Sequence, residues 1–303
     1  MQKHAYLIMA YNNPDQLLKL IALLDDVRND IYIHIDAEAD FPMERLKGIV
    51  RNAGLVITDR IPVRWADYSQ MKAEFVLLES ARNSGTKYSY YHLLSGMDLP
   101  IKTQDEIHKF FENQTDEFIG IVAQESQYNL NHVRYRYPLL RTKLYRKYKL
   151  VRCVNVAFVM LQKLLCVDIQ KKRNTEGWSF YDGWTWFSVT DSFVEYVLSK
   201  RKLIDSVFRD TKASDEKVLQ TLAYNSRFKD HLHDTRDLKT GSMRYIDWKR
   251  GTPYVFQSGD FEELMASSCM FARKFDERVD AEIIDKIYAH LMREGNTCAE
   301  TKQ

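Results

Sequence analysis

Residues 5–11 form an unbroken apolar run, followed by Asn13, Pro14 and then Leu17, Leu18, Ile21 and Leu24 at helical spacing. A short apolar run closed by a turn signal predicts a strand buried on both faces. Asn as N-cap with Pro at the first helical position predicts that a helix follows at once. IYIHID, residues 31–36, predicts a second buried strand. Strand, helix and strand within about thirty residues open an α/β sheet, whose ligands sit at the carboxyl ends of the strands. SQMKAEFVLLESARNSG predicts a further helix from Ser69 as N-cap to Gly85 as stop, with Met71, Phe75, Leu78 and Ala81 inward. YSYYHLLSGMDLPIK, residues 88–102, reads as a strand ending in a turn at SGMDLP. Helices are expected at 104–112, 190–201 and 278–293.

KASDEKVLQTLAYNS, residues 212–226, predicts a helix starting near Ser214, with Val218, Leu219, Leu222 and Ala223 inward. Asp215 and Glu216 fall in its first turn, where acids offset the positive end of the helix dipole. Locally, capping is the simpler reading of both acids; the other is that one of them takes a proton from a substrate.

The composition is that of a globular protein. Of 303 residues, 45% are apolar and 28% charged, and the formal charge of +2 singles out no partner. Eighteen Tyr, fifteen Phe and five Trp suit a protein that grips ring-shaped or hydroxylated ligands, and equally an ordinary core. Cys153, Cys166, Cys269 and Cys298 show no metal-finger spacing and read as reduced packing residues in a cytosolic protein. The N-terminal run reads as a strand, without the cleavage site of a signal peptide, and no run reaches the ~18 apolar residues that span a bilayer. GxGxxG and GxxxxGK[ST] are both absent, so neither phosphate-binding fingerprint supplies a function.

Residues 134–152 differ in character: eight Arg or Lys and no acid, followed by the apolar run VNVAFVMLQKLL at 154–165. A basic, aromatic, amphipathic segment fits an anionic membrane surface, or a solvated face on a helical excursion spanning about 134–175. Nucleic acid is disfavoured, because no reader module accompanies the basic run.

Four motifs in order resemble glycosyltransferase family 14, the core-2/I-branching N-acetylglucosaminyltransferases and peptide O-xylosyltransferases. They are AYLIMAYNNPDQLLKLI…IYIHID, RWADYSQMKAEFVLLESA…YHLLSGMDLPIKT, GWTWFSVTDSFVEYVL…SDEKVLQTL and RYIDWKRGTPYVF…DFEELMASSCMFARKFD. The resemblance covers about residues 5–280, interrupted at the basic stretch. It implies an α/β fold of the GT-A type, a mostly parallel sheet flanked by helices, in a single catalytic domain over 1–303. It also implies inverting transfer from a UDP-sugar to a hydroxyl without a metal or other cofactor. By the same resemblance Asp36 binds uracil, Met9 contacts the nucleotide, and Trp65 lies at the nucleotide–sugar site. Trp248 stacks on an acceptor sugar, Trp186 and Asp98 contact acceptor or sugar, Arg250 is a second phosphate-binding arginine, and Glu216 is the catalytic base.

The residues themselves are consistent with that chemistry. HIDAEAD lacks the Asp-x-Asp turn that holds a metal in most GT-A enzymes, whereas FARKFD offers Arg273 and Lys274, two cations able to neutralise a leaving diphosphate. A metal-dependent reaction through Asp36 and Asp40, and a non-catalytic carbohydrate-binding protein, are the alternatives. Thr185 in GWTWF stands where the xylosyltransferases carry an acid, which makes xylose a less secure donor than N-acetylglucosamine. The disulfide-forming cysteines, membrane anchor and stem of the animal members are missing. The expected protein is therefore a bacterial, cytoplasmic enzyme, peripheral at the inner membrane face. Its acceptor would be a glycan or lipid-linked glycan of surface polysaccharide or lipooligosaccharide assembly.

Overall fold

The computed structural model describes residues 2–122, 127–173, 175 and 177–300. Nine strands form two sheets: β1 (Lys3–Ala10), β2 (Asn29–Ile35), β3 (Gly54–Ile57), β4 (Tyr88–Ser95), β5 (Asp98–Pro100), β6 (Phe118–Val122), β7 (Asp182–Thr190), β8 (Arg244–Ile246) and β9 (Phe271–Arg273). The larger sheet has the order β3-β2-β1-β4-β7-β6. β1 to β4 run parallel, while β7 is antiparallel to both β4 and β6. The smaller sheet, β5-β9-β8, pairs β9 antiparallel to β5 and parallel to β8. This is the mostly parallel α/β architecture that the alternation of buried runs and amphipathic helices predicts.

The central strands are apolar on both faces because helices cover both. Tyr6, Ile8, Ile31 and Ile33 pack with Leu17, Leu20 and Ile21 of the helix Pro14–Leu23 and with Ile283, Ile284 and Ile287 of the helix Ala281–Glu300. Ala5, Leu7 and Tyr32 face the other way, onto Met71, Phe75 and Leu78 of the helix Ser69–Asn83 and Phe193 and Val197 of the helix Asp191–Ser199. Successive side chains alternate between two cores, as the strand period requires.

Local signals place elements well and caps less well. Thr103 and Glu106 form a capping box for the helix Gln104–Phe111, and Thr190 caps Asp191–Ser199. Asn13 instead adopts a left-handed conformation and donates its amide to Asp276, 2.9 Å away. Ser69 is the first helical residue, and its hydroxyl accepts from Arg64 N–H at 2.8 Å. The apolar stretch 88–102 divides between the two sheets: Asp98 accepts from Ser95 N–H at 2.7 Å, which turns the chain from β4 into β5.

The largest departure is at Ser214. Ser214–Glu216 is one 3-10 turn, entered through Ala213 in the left-handed region, and the α-helix starts at Val218. Neither Ser214 nor Asp215 caps it. Ser214 Oγ is buried without a hydrogen bond, and the Asp215 carboxylate is drawn to other elements.

Between β6 and β7 the chain leaves the sheet as helices Gln127–Arg134, Leu144–Lys147 and Lys149–Leu164. Lys212 N–H donating to His132 O (3.0 Å) and Tyr137 N–H donating to Asp210 O (2.9 Å) tie this excursion to the segment that leads into Glu216.

Candidate active site

The carboxyl ends of β1, β2 and β4 lie side by side, with Met9 in register with His34 and Ser95. The candidate residues gather around this edge. Asp36 follows β2, and its Oδ1 accepts from Glu38 N–H (3.0 Å) and Val63 N–H (3.3 Å), which holds the loop carrying Trp65 against the strand end. Its second carboxylate oxygen has no hydrogen bond among the described residues. Met9 is half-buried, and the Trp65 ring is more than half exposed. Asp40 is also exposed, and among the described residues no group of three or more His, Cys, Asp or Glu is gathered to hold a metal ion.

Glu216 reaches the same edge through strained backbone. Ala213 at φ +51° donates its N–H to the carbonyl of Ala66 at φ +61°, 2.8 Å away, so two left-handed alanines clamp the Trp65 loop to the Glu216 turn. Left-handed non-glycine residues persist only where surroundings impose them, and they concentrate at functional sites. Glu216 is open to solvent yet surrounded by protein on most sides, as befits a group on a cleft floor. That partial burial, with Asp215 beside it, raises its carboxyl from 4.5 to about 7 despite the opposing effect of Lys217.

Asp215 is buried, and its Oδ2 accepts from Gln70 Nε2 and from Thr185 Oγ1, each at 3.0 Å. Burial raises its carboxyl too. Lys217, fully buried, is held by Asp182 at 2.7 Å. Both neighbours of Glu216 are thus engaged inward, and Glu216 alone of the three is exposed to solvent. Thr185, expected where the xylosyltransferases have an acid, donates here to Asp215, the neighbour of Glu216.

The next residue of β7 serves the cationic side. The Trp186 ring lies 4.2 Å from the Arg273 guanidinium, a cation–π contact. Arg273 also donates to Asp98 at 2.6 Å and to the Ser95 hydroxyl. Asp98, expected to touch sugar, is 1% exposed and spends its carboxylate on Arg273 and the Ser95 turn, so its place is to position Arg273. Lys274 follows, half-buried, with no hydrogen-bond partner for its Nζ among the described residues. Burial and the adjacent Arg273 lower its pKa.

Arg250, expected at the leaving phosphate, is paired with carboxylates. Its nitrogens are engaged by Asp247, by Asp260 at 2.6 Å and by Glu263 at 3.0 Å, and it lies over the Tyr254 ring. A guanidinium already neutralised by three carboxylates is a staple of its loop. Trp248, more than half exposed, projects just beyond β8, whose Ile246 is in register with Arg273. An open cavity of about 1140 Å³ lies at the opposite end of β1, lined by His4, Arg28, Lys102 and His108, and holds none of these residues. The sequence pattern did not single out Gln70, Ser95, Ala66 or Ala213; only the Ser-x-x-Asp spacing of Ser95 and Asp98 signals a turn locally.

An exposed acid, a stacked arginine and a lysine with no hydrogen-bond partner among the described residues are groups that a transfer reaction can use. The Core-2/I-branching enzyme family model matches residues 4–268, and the chain belongs to that family. It is a glycosyltransferase with the GT-A type fold that membership implies. It is 22% identical over 322 residues to beta-1,3-galactosyl-O-glycosyl-glycoprotein beta-1,6-N-acetylglucosaminyltransferase 3 of Bos taurus, covering 95% of this chain and 67% of the relative. The human beta-1,3-galactosyl-O-glycosyl-glycoprotein beta-1,6-N-acetylglucosaminyltransferase is 23% identical over 316 residues, covering 95% of this chain and 69% of the relative. Among solved structures, a chain assigned as a nucleotide-diphospho-sugar transferase from Desulfovibrio desulfuricans aligns at 16% identity with a TM-score of 0.27, over 40% of this chain and 58% of its own.

Proposed function

We propose that the chain transfers N-acetylglucosamine from UDP-N-acetylglucosamine to a hydroxyl of a glycan, inverting the anomeric centre without a metal. The observation that carries this reading is the division of labour along β7: Thr185 holds Asp215 beside the tuned Glu216, while Trp186 carries Arg273. In the reaction, the acceptor oxygen attacks the anomeric carbon from the face opposite UDP. Its proton passes to Glu216, and the bond to the β-phosphate breaks with both electrons leaving on UDP. Arg273 and Lys274 receive the diphosphate charge, Arg by its planar fork and Lys as a point charge. The free oxygen of Asp36 accepts the uracil imide N–H, with the Trp65 ring beside it. Trp248 offers a stacking face to the acceptor.

The donor and metal assignments are tested together by following UDP release and thermal stabilisation with UDP-N-acetylglucosamine, UDP-glucose, UDP-galactose and UDP-xylose, with and without EDTA. Turnover is expected with UDP-N-acetylglucosamine and is expected to survive EDTA. Strict dependence on added Mn²⁺ would contradict the metal-free reading, and turnover with another sugar alone would contradict the donor.

A further inference from the structure

The helix Lys149–Leu164 is built inside out. The residues it buries are two amides, Asn155 at 3% and Gln162 at 7% exposure, and Gln162 is fixed by Arg136, whose N–H donates to its Oε1 (2.9 Å) and whose carbonyl accepts from its Nε2 (3.0 Å). Leu150, Val154, Ala157, Leu161 and Leu164 recur at alternating steps of four and three, so they share one face, and all five face solvent. Leu150 is 73% and Leu164 79% exposed, and Met160 and Leu165 extend the patch. A continuous apolar face on a helix held down by its polar residues marks a contact surface.

Charge identifies what covers it. No acid occurs from residue 127 to residue 167. Arg146 and Lys147 precede the helix and Lys149 opens it, so basic residues crowd the N-terminal end of the apolar face, and none of the three pairs with a carboxylate among the described residues. Other cations of the excursion are spent internally, Arg134 on Asp168 and Lys143 on Glu38. Two copies meeting on this face would bring like charges together, whereas an anionic lipid surface matches both the apolar face and its basic end. Sixteen residues make a helix about 24 Å long, short of the roughly 30 Å of a bilayer's hydrocarbon core. Among the described residues no helix is long and apolar enough to cross a membrane.

We propose that this helix lies in the interface plane of an anionic membrane, its apolar face in the acyl boundary and its basic end on the headgroups. The excursion that carries this helix touches the candidate site: Lys143 meets Glu38 at 3.1 Å, and Glu38 in turn holds Arg64 beside Trp65. Docking therefore brings the cleft to the lipid surface, which deepens the transferase reading by pointing to a lipid-linked acceptor. The docking itself stands on the helix and not on the reaction.

The test is flotation of the full chain with phosphatidylcholine vesicles, with and without phosphatidylserine. Binding to anionic vesicles that weakens as salt rises is expected. Leu161→Glu with Leu164→Glu should reduce it more than about tenfold, since two leucines leave the acyl boundary. Arg146→Glu with Lys147→Glu should abolish the preference for anionic lipid. All these positions are exposed, so melting temperature and transfer to a soluble acceptor should match the parent, and failure of the docking would leave the reaction untouched. Absence of vesicle binding would overturn the proposal, as would a solution dimer split by the double leucine variant in a chain that ignores vesicles.

Discussion

A carboxylate works as a base on a sugar hydroxyl best when its own pKa lies near the operating pH. Glu216, raised to about 7 by partial burial and by Asp215, meets that condition. It must be ionised to act, so kcat/KM is expected to rise with pH through an inflection near 7 and then level off. Asp215→Asn removes the negative neighbour while keeping a group that accepts from Thr185 and Gln70, so the inflection should move to lower pH. An unmoved or raised inflection would contradict the arrangement. The cations separate in the same way. Lys274→Ala removes a charge-assisted contact worth about 1.5–3 kcal/mol, so UDP should bind roughly 10- to 100-fold more weakly. Arg250→Ala should leave UDP affinity nearly unchanged and lower the melting temperature, because its three carboxylate partners lose their cation. Calorimetric titration with UDP distinguishes the two.

At the scale of elements, the helix Ser69–Asn83 carries an unusual cost. Glu74 is wholly buried, both its oxygens lack hydrogen bonds among the described residues, and burial with nearby Asp215 holds its pKa well above 4.5. Native Glu74 keeps its proton where the unfolded chain has lost it, so its effect on stability falls as pH rises above the unfolded value. Glu74→Gln removes that titration. The variant should melt higher than the parent at pH 8, with a margin that shrinks toward pH 5; a margin independent of pH would refute this. The buried strands and the helices over them were legible because each rests on local periodicity. The turn at Ser214 was not legible. Its conformation is set by Ala66 across the cleft, and Asp215 is drawn away by Gln70 and Thr185, residues 145 and 30 positions distant. The ion pairs of Arg250 were not legible for the same reason, since nothing local shows that Asp260 and Glu263 converge on it.

For the whole molecule, the two sheets divide the residues of the proposed reaction between them. The large sheet supplies Asp36, Trp186 and the footing of Glu216; the small one carries Arg273 and leads into Lys274 and Trp248. Asp98 couples them, because it ends the β4 turn and holds Arg273 from a buried position. Asp98→Ala should therefore cost both stability, about 3–5 kcal/mol for a buried pair broken on one side, and UDP affinity, measurable by denaturant unfolding and titration. The family resemblance brought Glu216 to notice, and the structure holds Asp215 inward on Gln70 and Thr185 while Glu216 stays exposed.

That assignment is the centre of the account, and Glu216→Gln tests it most directly. UDP affinity, measured by calorimetry, should stay within about twofold of the parent, because the diphosphate is held by Arg273 and Lys274. Transfer from UDP-N-acetylglucosamine should fall by about 10²- to 10⁴-fold, the contribution of a positioned base. A Glu216→Gln protein that binds UDP and turns over at close to the parent rate would contradict it.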